Sequence, residues 1–568
     1  MRFFLLLAAT ASGPALAQQS DPLAPLPTAQ PPATAQTPTP AMTQPPTSSV
    51  VPRDWRGVFA ALRRGEWAGA QAGIAALPEG PLKPVAKAEL YTARNSPRVE
   101  LQPILDLLAE APDLPEAGQL QRLAMTRGAT EPPVIIGERP LVFLGSAPRR
   151  QRAKASTGEP LADALRAQLD PLVEIDDGPG AEALLVEQGP FLSLDARAEA
   201  AQRVAWIYYV LGRDSDARRV SDQWRVGANG EWAGQAAWIS GLAAWRLGEC
   251  VPAGRAFREV PRSTADRELA AAAYYWAARA EQQCRHPREV QPLLQAAARS
   301  ADSFYGLVAR ETLGMSTRLP SPRIVSRGAS ERPNVVRARE LMAIGERSLA
   351  DQYLRHQAAI GPDKEHAELI RVAGAIGLPG TQYWLAHNGP RGAEVDPSAR
   401  FPTLAWSPSR GWRIDPALGL AHARQESDFR VAVVSPAGAV GLMQVRPGTA
   451  GDFARARGVP LGDLADPATN LEYGQSFIEL MRNKAGTQGQ LVKVIAAYNA
   501  GPVPVERWRA INDKGDPLLW VESLPYWETR YYVPSVLRNM FVYQGMAGAP
   551  QPALKALAEH RWPAFPLR

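Results

Sequence analysis

From Trp55 onward the apolar residues return at spacings of three and four, with aromatic side chains among them, in a chain rich in alanine, leucine, arginine and glutamate. That period is helical, so the pattern predicts a fold dominated by α-helix. Within it Leu211-Gly212-Arg213, Leu247-Gly248-Glu249 and Gln283-Cys284-Arg285 follow one another every 36 residues. Each triplet closes an aromatic-rich stretch (AWIYYV, AAWISGLAAW, AAAYYWAARA) and opens a second helix (DARRVSDQW, PAGRAFREV, PREVQPLLQAA). A repeat of this length predicts stacked helix pairs, an α-superhelix with the aromatics in its core. Chance similarity among alanine-rich helices is the competing explanation, and the joint recurrence of aromatic and turn positions argues against it.

The pattern breaks at Glu131–Lys154, where Pro132-Pro133, the apolar pieces VII and LVFL and several arginines predict a long loop or a small extended excursion. The proline-rich TRLPSPRIVSRGASERP then marks a connection, followed by two or three shorter helices between Val335 and His387 and a loop-rich boundary from Pro390 to Ser409. Helix starts come densely after Gly411, at Asp415-Pro416, Pro447, Asp466-Pro467, Leu491 and Pro525, the last opening a long final helix that Pro534 should kink. The expected organisation is therefore a superhelical domain over 53–325, a helical linker domain over 326–400 and a compact α-rich domain over 401–568.

Composition adds a compartment. Arg2, the apolar run from Phe3 to Thr10 and Ala15-Leu16-Ala17 read as a signal peptide over 1–17, and 18–52, with ten prolines and Asp21 as its one charge, reads as an extended tether. No other stretch is long and apolar enough to span a bilayer, so a periplasmic protein without a membrane span is expected. Cys250 and Cys284 are the two cysteines of the chain. They occupy near-equivalent places in consecutive repeats, which predicts a disulfide in an oxidising compartment; two buried free thiols are the alternative. A net charge of +6 without a basic run, and six scattered histidines, support neither nucleic-acid binding nor a metal site.

Candidate chemistry centres on AHARQESDFRVAVVSPAGAVGLMQ, residues 421–444. Asp415 is a good N-cap and Pro416 a good first helical residue, so Glu426 falls in the last turn of a short helix, just before a glycine-rich turn. The negative end of the helix dipole disfavours its ionised form, and apolar burial adds to that. A glutamate held protonated near neutral pH is a general acid. His422, one turn earlier, is expected to orient or pack. Asp428 should point to another side of the helix.

The stretches ARQESDF (423–429), SPAGAVGLMQVRPGTA (435–450), DPATNLEYG (466–474), AAYNAGP (496–502) and VESLPYWETRYYV (521–533) closely resemble the motifs of the soluble lytic transglycosylase family, and SFYGLVARETLG (303–314) does so more loosely. The resemblance implies a lysozyme-like catalytic domain on a tetratricopeptide-like superhelix. It implies cleavage of the β-1,4 bond between N-acetylmuramic acid and N-acetylglucosamine in peptidoglycan, with 1,6-anhydro ends and no cofactor. Carried over by motif, Glu426 is the single acid and base; Ser435, Gly441, Met443, Gln444, Tyr498, Asn499, Glu522 and Tyr532 are substrate-binding. Glycan strands are the expected partner, together with other cell-wall enzymes at the superhelix. A hydrolytic muramidase, which needs a second carboxylate or a well-held water, and a non-catalytic scaffold are the rival readings.

Overall fold

The structure, a computed structural model, describes residues 51–320, 324 and 326–566. The expected signal peptide and nearly all of the proline-rich tether lie outside the described residues. Among those described, 26 α-helices follow one another, and strand is limited to Val142–Phe143 and Asn388–Gly389.

The repeat forms three helix pairs: Leu194–Val210 with Asp214–Trp224, Glu231–Leu247 with Cys250–Ser263, and Arg267–Gln283 with Pro287–Ala298. Gly212 and Gly248 turn the chain at φ 74° and 80°, a left-handed region where a Cβ costs about 1–2 kcal/mol; the third pair puts Arg285 there instead. The repeat aromatics are core. Trp238, Phe257 and Trp276 form a chain of tilted contacts at 5.3 and 6.0 Å, and Trp276 Nε1 donates to the Tyr305 hydroxyl at 3.0 Å. Cys250 opens one helix, Cys284 caps the next, and the two are joined in a disulfide with Cα atoms 5.5 Å apart.

Among the described residues two hydrophobic cores form, and each gathers chain segments far apart in sequence. One joins the helices between Trp55 and Thr126 to those between Pro333 and His387, where Arg337 pairs with Asp113 at 2.8 Å and Asn334 donates to the Asp113 carbonyl at 2.6 Å. The other runs from the superhelix, residues 147–309, into residues 401–565. The excursion at 131–154 links them. Its Val142–Phe143 strand pairs antiparallel with Asn388–Gly389, and further on Arg150 reaches Glu522 while Arg538 donates to the Pro148 carbonyl.

Three helix expectations change. Four α-helices, not two or three, occupy the stretch before His387: Pro333–Ile344, Arg347–Ile360, His366–Ala375 and Pro379–His387. Gly345 at φ 90° and Gly377 at φ 80° supply breaks that periodicity alone passes over. The long helix begins at Trp527 rather than Pro525 and is not the last, since Pro552–Ala558 follows it. Pro502–Arg507 and Pro517–Glu522 are further short helices, each opened by its proline.

Candidate active site

The helix Pro416–Ser427 starts as its sequence dictates: the Asp415 carboxylate accepts from Ala417 N–H at 2.8 Å, and its other oxygen accepts from Gln544 at 2.7 Å. It buries Leu418, Ala421, His422 and Ala423 and ends at once, with Asp428 and Phe429 both left-handed at φ 50° and 64°. Asp428 thus leaves the helix at its cap. The Ser427 hydroxyl lies 3.0 Å from the Ala423 carbonyl and 2.9 Å from the Leu442 carbonyl, which fastens the end of the helix to the glycine-rich turn.

That turn is closed by bridges of Val440 to Val434 and Val445. Ser435 Oγ accepts from Ala439 N–H at 3.0 Å, and Gln444 donates to the Gly441 carbonyl at 2.9 Å. Gly441, at φ 77°, has no room for a side chain: a Cβ would stand 2.6 Å from the Leu464 carbonyl oxygen. Asn470 locks the turn from the helix Pro467–Arg482, donating to the Val440 and Leu464 carbonyls and accepting from Met443 N–H at 2.8 Å. Met443 is fully buried, with Gly474 making space for it. This corrects the expectation of a methionine side chain on the substrate side; what Met443 offers the site is its backbone carbonyl, which accepts from the Tyr498 hydroxyl at 2.7 Å.

Glu426 is half-buried. Desolvation lifts its pKa to about 7; the Tyr532 hydroxyl, donating to Oε1 at 2.5 Å, opposes the rise, and the negative charge of Glu528 adds to it. Tyr532 is itself 6% exposed, and its hydroxyl also meets His422 Nδ1 at 2.8 Å. His422 lies fully buried between Tyr498 and Tyr532, ring centroids 4.4 and 5.9 Å away, and burial drives its pKa down to about 3. It is therefore neutral and packed between the two tyrosines. Asn499 joins the helix Trp527–Met546, donating to Glu528 at 2.9 Å and accepting from Thr529 at 2.6 Å.

Glu426, Tyr498, Asn499 and Tyr532 are therefore brought together, and Ser435, Gly441 and Gln444 build the adjoining turn. Glu522 is not among them. It is 2% exposed, with its oxygens taken by Arg150 at 3.2 and 3.3 Å and by the Tyr305 hydroxyl at 2.9 Å, so it ties the superhelix to the site's domain and has no face left for substrate. Motif reasoning missed Glu528. Its signal was present: Glu528 and Tyr532 are four residues apart on one helix, which places them on one face.

Comparison with known proteins agrees with this geometry. Residues 405–520 match the family model described as "Transglycosylase SLT domain". The chain is 32% identical over 263 residues to the soluble lytic murein transglycosylase of Salmonella typhimurium, and 32% identical over 273 residues to that of Escherichia coli. These matches cover 43% and 45% of the chain but 39% and 41% of the relatives, so they span less than half of either relative's length. Among solved structures, the 70-kDa soluble lytic transglycosylase of Escherichia coli aligns over 90% of this chain and 99% of its own, with a TM-score of 0.52 at 18% identity. Its complex with bulgecin A aligns over 89% and 98%, with a TM-score of 0.54 at 19% identity. The fold is shared along nearly the whole chain. Residues 405–520 form a transglycosylase SLT domain, in a chain related to the soluble lytic murein transglycosylases.

Proposed function

We propose that the chain is a peptidoglycan lytic transglycosylase that cleaves between N-acetylmuramic acid and N-acetylglucosamine and leaves 1,6-anhydro ends. The observation that carries this is Glu426, a carboxyl with a pKa near 7 beside a tyrosine hydroxyl, at the lip of a rigid glycine turn. Protonated Glu426 gives its proton to the leaving glycosidic oxygen. The N-acetyl group of the muramic acid stabilises the oxocarbenium-like centre, and the new carboxylate removes the proton of the 6-hydroxyl as that oxygen closes on C1. Tyr498 and Asn499, with Ser435, Gly441 and Gln444 of the turn, contact the sugars. Export to the periplasm and positioning of long glycan strands by the superhelix belong to the same proposal.

Hydrolysis is the second reading, and Glu528 is what favours it: a second carboxylate near Glu426 could hold the water that a muramidase needs. One experiment separates the two. Mass spectrometry of products from purified glycan should find anhydro ends; reducing N-acetylmuramic acid ends would sink the transglycosylase reading.

A further inference from the structure

The two hydrogen bonds that meet at Tyr532 raise a question of proton placement. Its phenol has one proton and two neighbours, Glu426 Oε1 at 2.5 Å and His422 Nδ1 at 2.8 Å. His422 is fully buried, and its Nε2 has no hydrogen-bond partner among the described residues. Burial keeps the ring neutral, so it carries a single proton. On Nε2 that proton would be a buried donor without an acceptor, which proteins tolerate less readily than an unused lone pair. The proton therefore belongs on Nδ1. Nδ1–H then donates to the Tyr532 oxygen, and the phenol proton has one place left to go.

We propose that His422 is a positioning residue: by donating to Tyr532 it aims the tyrosine's proton at Oε1 of Glu426, which leaves Oε2 as the oxygen that carries the catalytic proton. This rests on the reading of Glu426 as the acid. Through both steps of the reaction Oε1 stays an acceptor. Oε2–H passes to the leaving oxygen, Oε2 then takes the proton of the 6-hydroxyl, and the proton of Tyr532 never moves. Without His422 the phenol is free to rotate and accept from a proton on Oε1, which turns the acid away from its substrate. The titratable groups facing this pair are Glu528 on the helix of Tyr532 and Tyr498 from Leu491–Ala500.

The test has two readouts. Glutamate labelled with 13C at the side-chain carboxyl lets the Glu426 signal, assigned by its loss in Glu426→Gln, be titrated in the full chain without turnover. In His422→Leu the Glu426 carboxyl should titrate at higher pH than in the wild type, because an unpolarised phenol is a weaker donor to the carboxylate; Tyr532→Phe should move it the same way and further. In the glycan assay His422→Leu should lower kcat about 10-fold, part of the 10²–10⁴ that positioned acid–base catalysis supplies, with KM little changed. His422→Asn, whose amide nitrogen can stand where Nδ1 stands, should restore most of both. His422→Gln, which fills the space but reaches the Nε2 place, serves if the leucine variant is unstable and should behave like it. A folded His422→Leu or His422→Gln with wild-type titration and wild-type kcat overturns the proposal, as does an asparagine variant no better than leucine. If the wild type cleaves no glycan while the titration shifts as stated, the proposed function fails and the hydrogen-bond relay stands.

Discussion

Tyr532 and Glu528 lie one turn apart on the helix Trp527–Met546 and act on Glu426 with opposite sign, the hydroxyl stabilising its carboxylate and the second carboxylate opposing it. The level near 7 is the resultant, with desolvation as the largest contribution. On the proposed reading Glu426 is protonated before substrate is cleaved, so kcat/KM is expected to be sustained on the acid side and to fall as pH rises through about 7. Glu528→Gln should move that limb to lower pH and Tyr532→Phe to higher pH. Glu426→Gln should remove at least about 10²-fold of kcat with glycan binding retained. Initial rates across pH 5–9, about two units either side of the Glu426 value, check all three.

The same carboxyl makes a stability prediction. Its pKa is about 7 in the folded chain against 4.5 ordinarily, so between these values the native state binds more protons than the unfolded one. Stability contributed by the site is therefore full below 4.5, falls as pH rises through that window, and is lost above about 7. Glu426→Gln has no charge to bury, and should exceed the wild type at pH 8 by about 2–3 kcal/mol while matching it at pH 4. Denaturation midpoints at the two pH values test this; a variant less stable at pH 8 contradicts the buried acid.

Glu522 should behave as a structural residue. Arg150 and Glu522 have side chains 4% and 3% exposed, and removing one partner strands the other's charge. Glu522→Ala is expected to destabilise by about 3–5 kcal/mol with KM for glycan unchanged in the folded fraction. A raised KM at full stability would return Glu522 to the substrate. The same contact bears on truncation: a fragment starting near Phe401 leaves Glu522 without Arg150, and Arg530 without the Trp206 ring 3.6 Å beneath it.

What the sequence revealed and what it hid divide along contact distance. Asp415 and Pro416 mark a helix start because capping is local, and the turn triplets at 36-residue intervals mark the superhelix because each repeat contacts its neighbour. Glu426 was legible for both reasons, helix position and motif. Glu522 misled because the partners that occupy its oxygens, the Arg150 guanidinium and the Tyr305 hydroxyl, lie 372 and 217 residues away. Tyr532 was expected near substrate by motif alone, and its bond to Glu426 spans 106 residues and exists only once two helices cross. Met443 misled differently: Gly474, on another helix, opens the space that buries it.

Gly441 offers a direct probe of the turn. Alanine there meets both a left-handed backbone and the Leu464 carbonyl at 2.6 Å, so Gly441→Ala must shift the turn that carries the Met443 carbonyl and, through it, Tyr498. The cost is expected to be about 1–3 kcal/mol from the backbone strain alone, with activity lost beyond what unfolding explains. Melting curves and single-turnover cleavage measured on one preparation separate the two effects. Stability and rate both at wild-type level would show that the turn is softer than its contacts imply.

Cys250 and Cys284 close a loop with a sequence separation of 34 between consecutive helix pairs. Chain entropy puts the stabilisation from such a loop at about 3–4 kcal/mol. Its site is distant in sequence from Glu426, and each repeat packs chiefly on its neighbours, so reduction should loosen the superhelix first. Thiol titration of the denatured, unreduced protein should find no free thiol, and Cys250→Ser/Cys284→Ser should melt earlier than the oxidised parent. On short soluble muropeptides that variant should retain near-parent activity, because the acid, its tyrosine and the glycine turn all lie beyond residue 420. Two titratable thiols would refute the bond. Equal loss on short muropeptides and on whole sacculi, in folded protein, would show instead that the superhelix supports the acid itself.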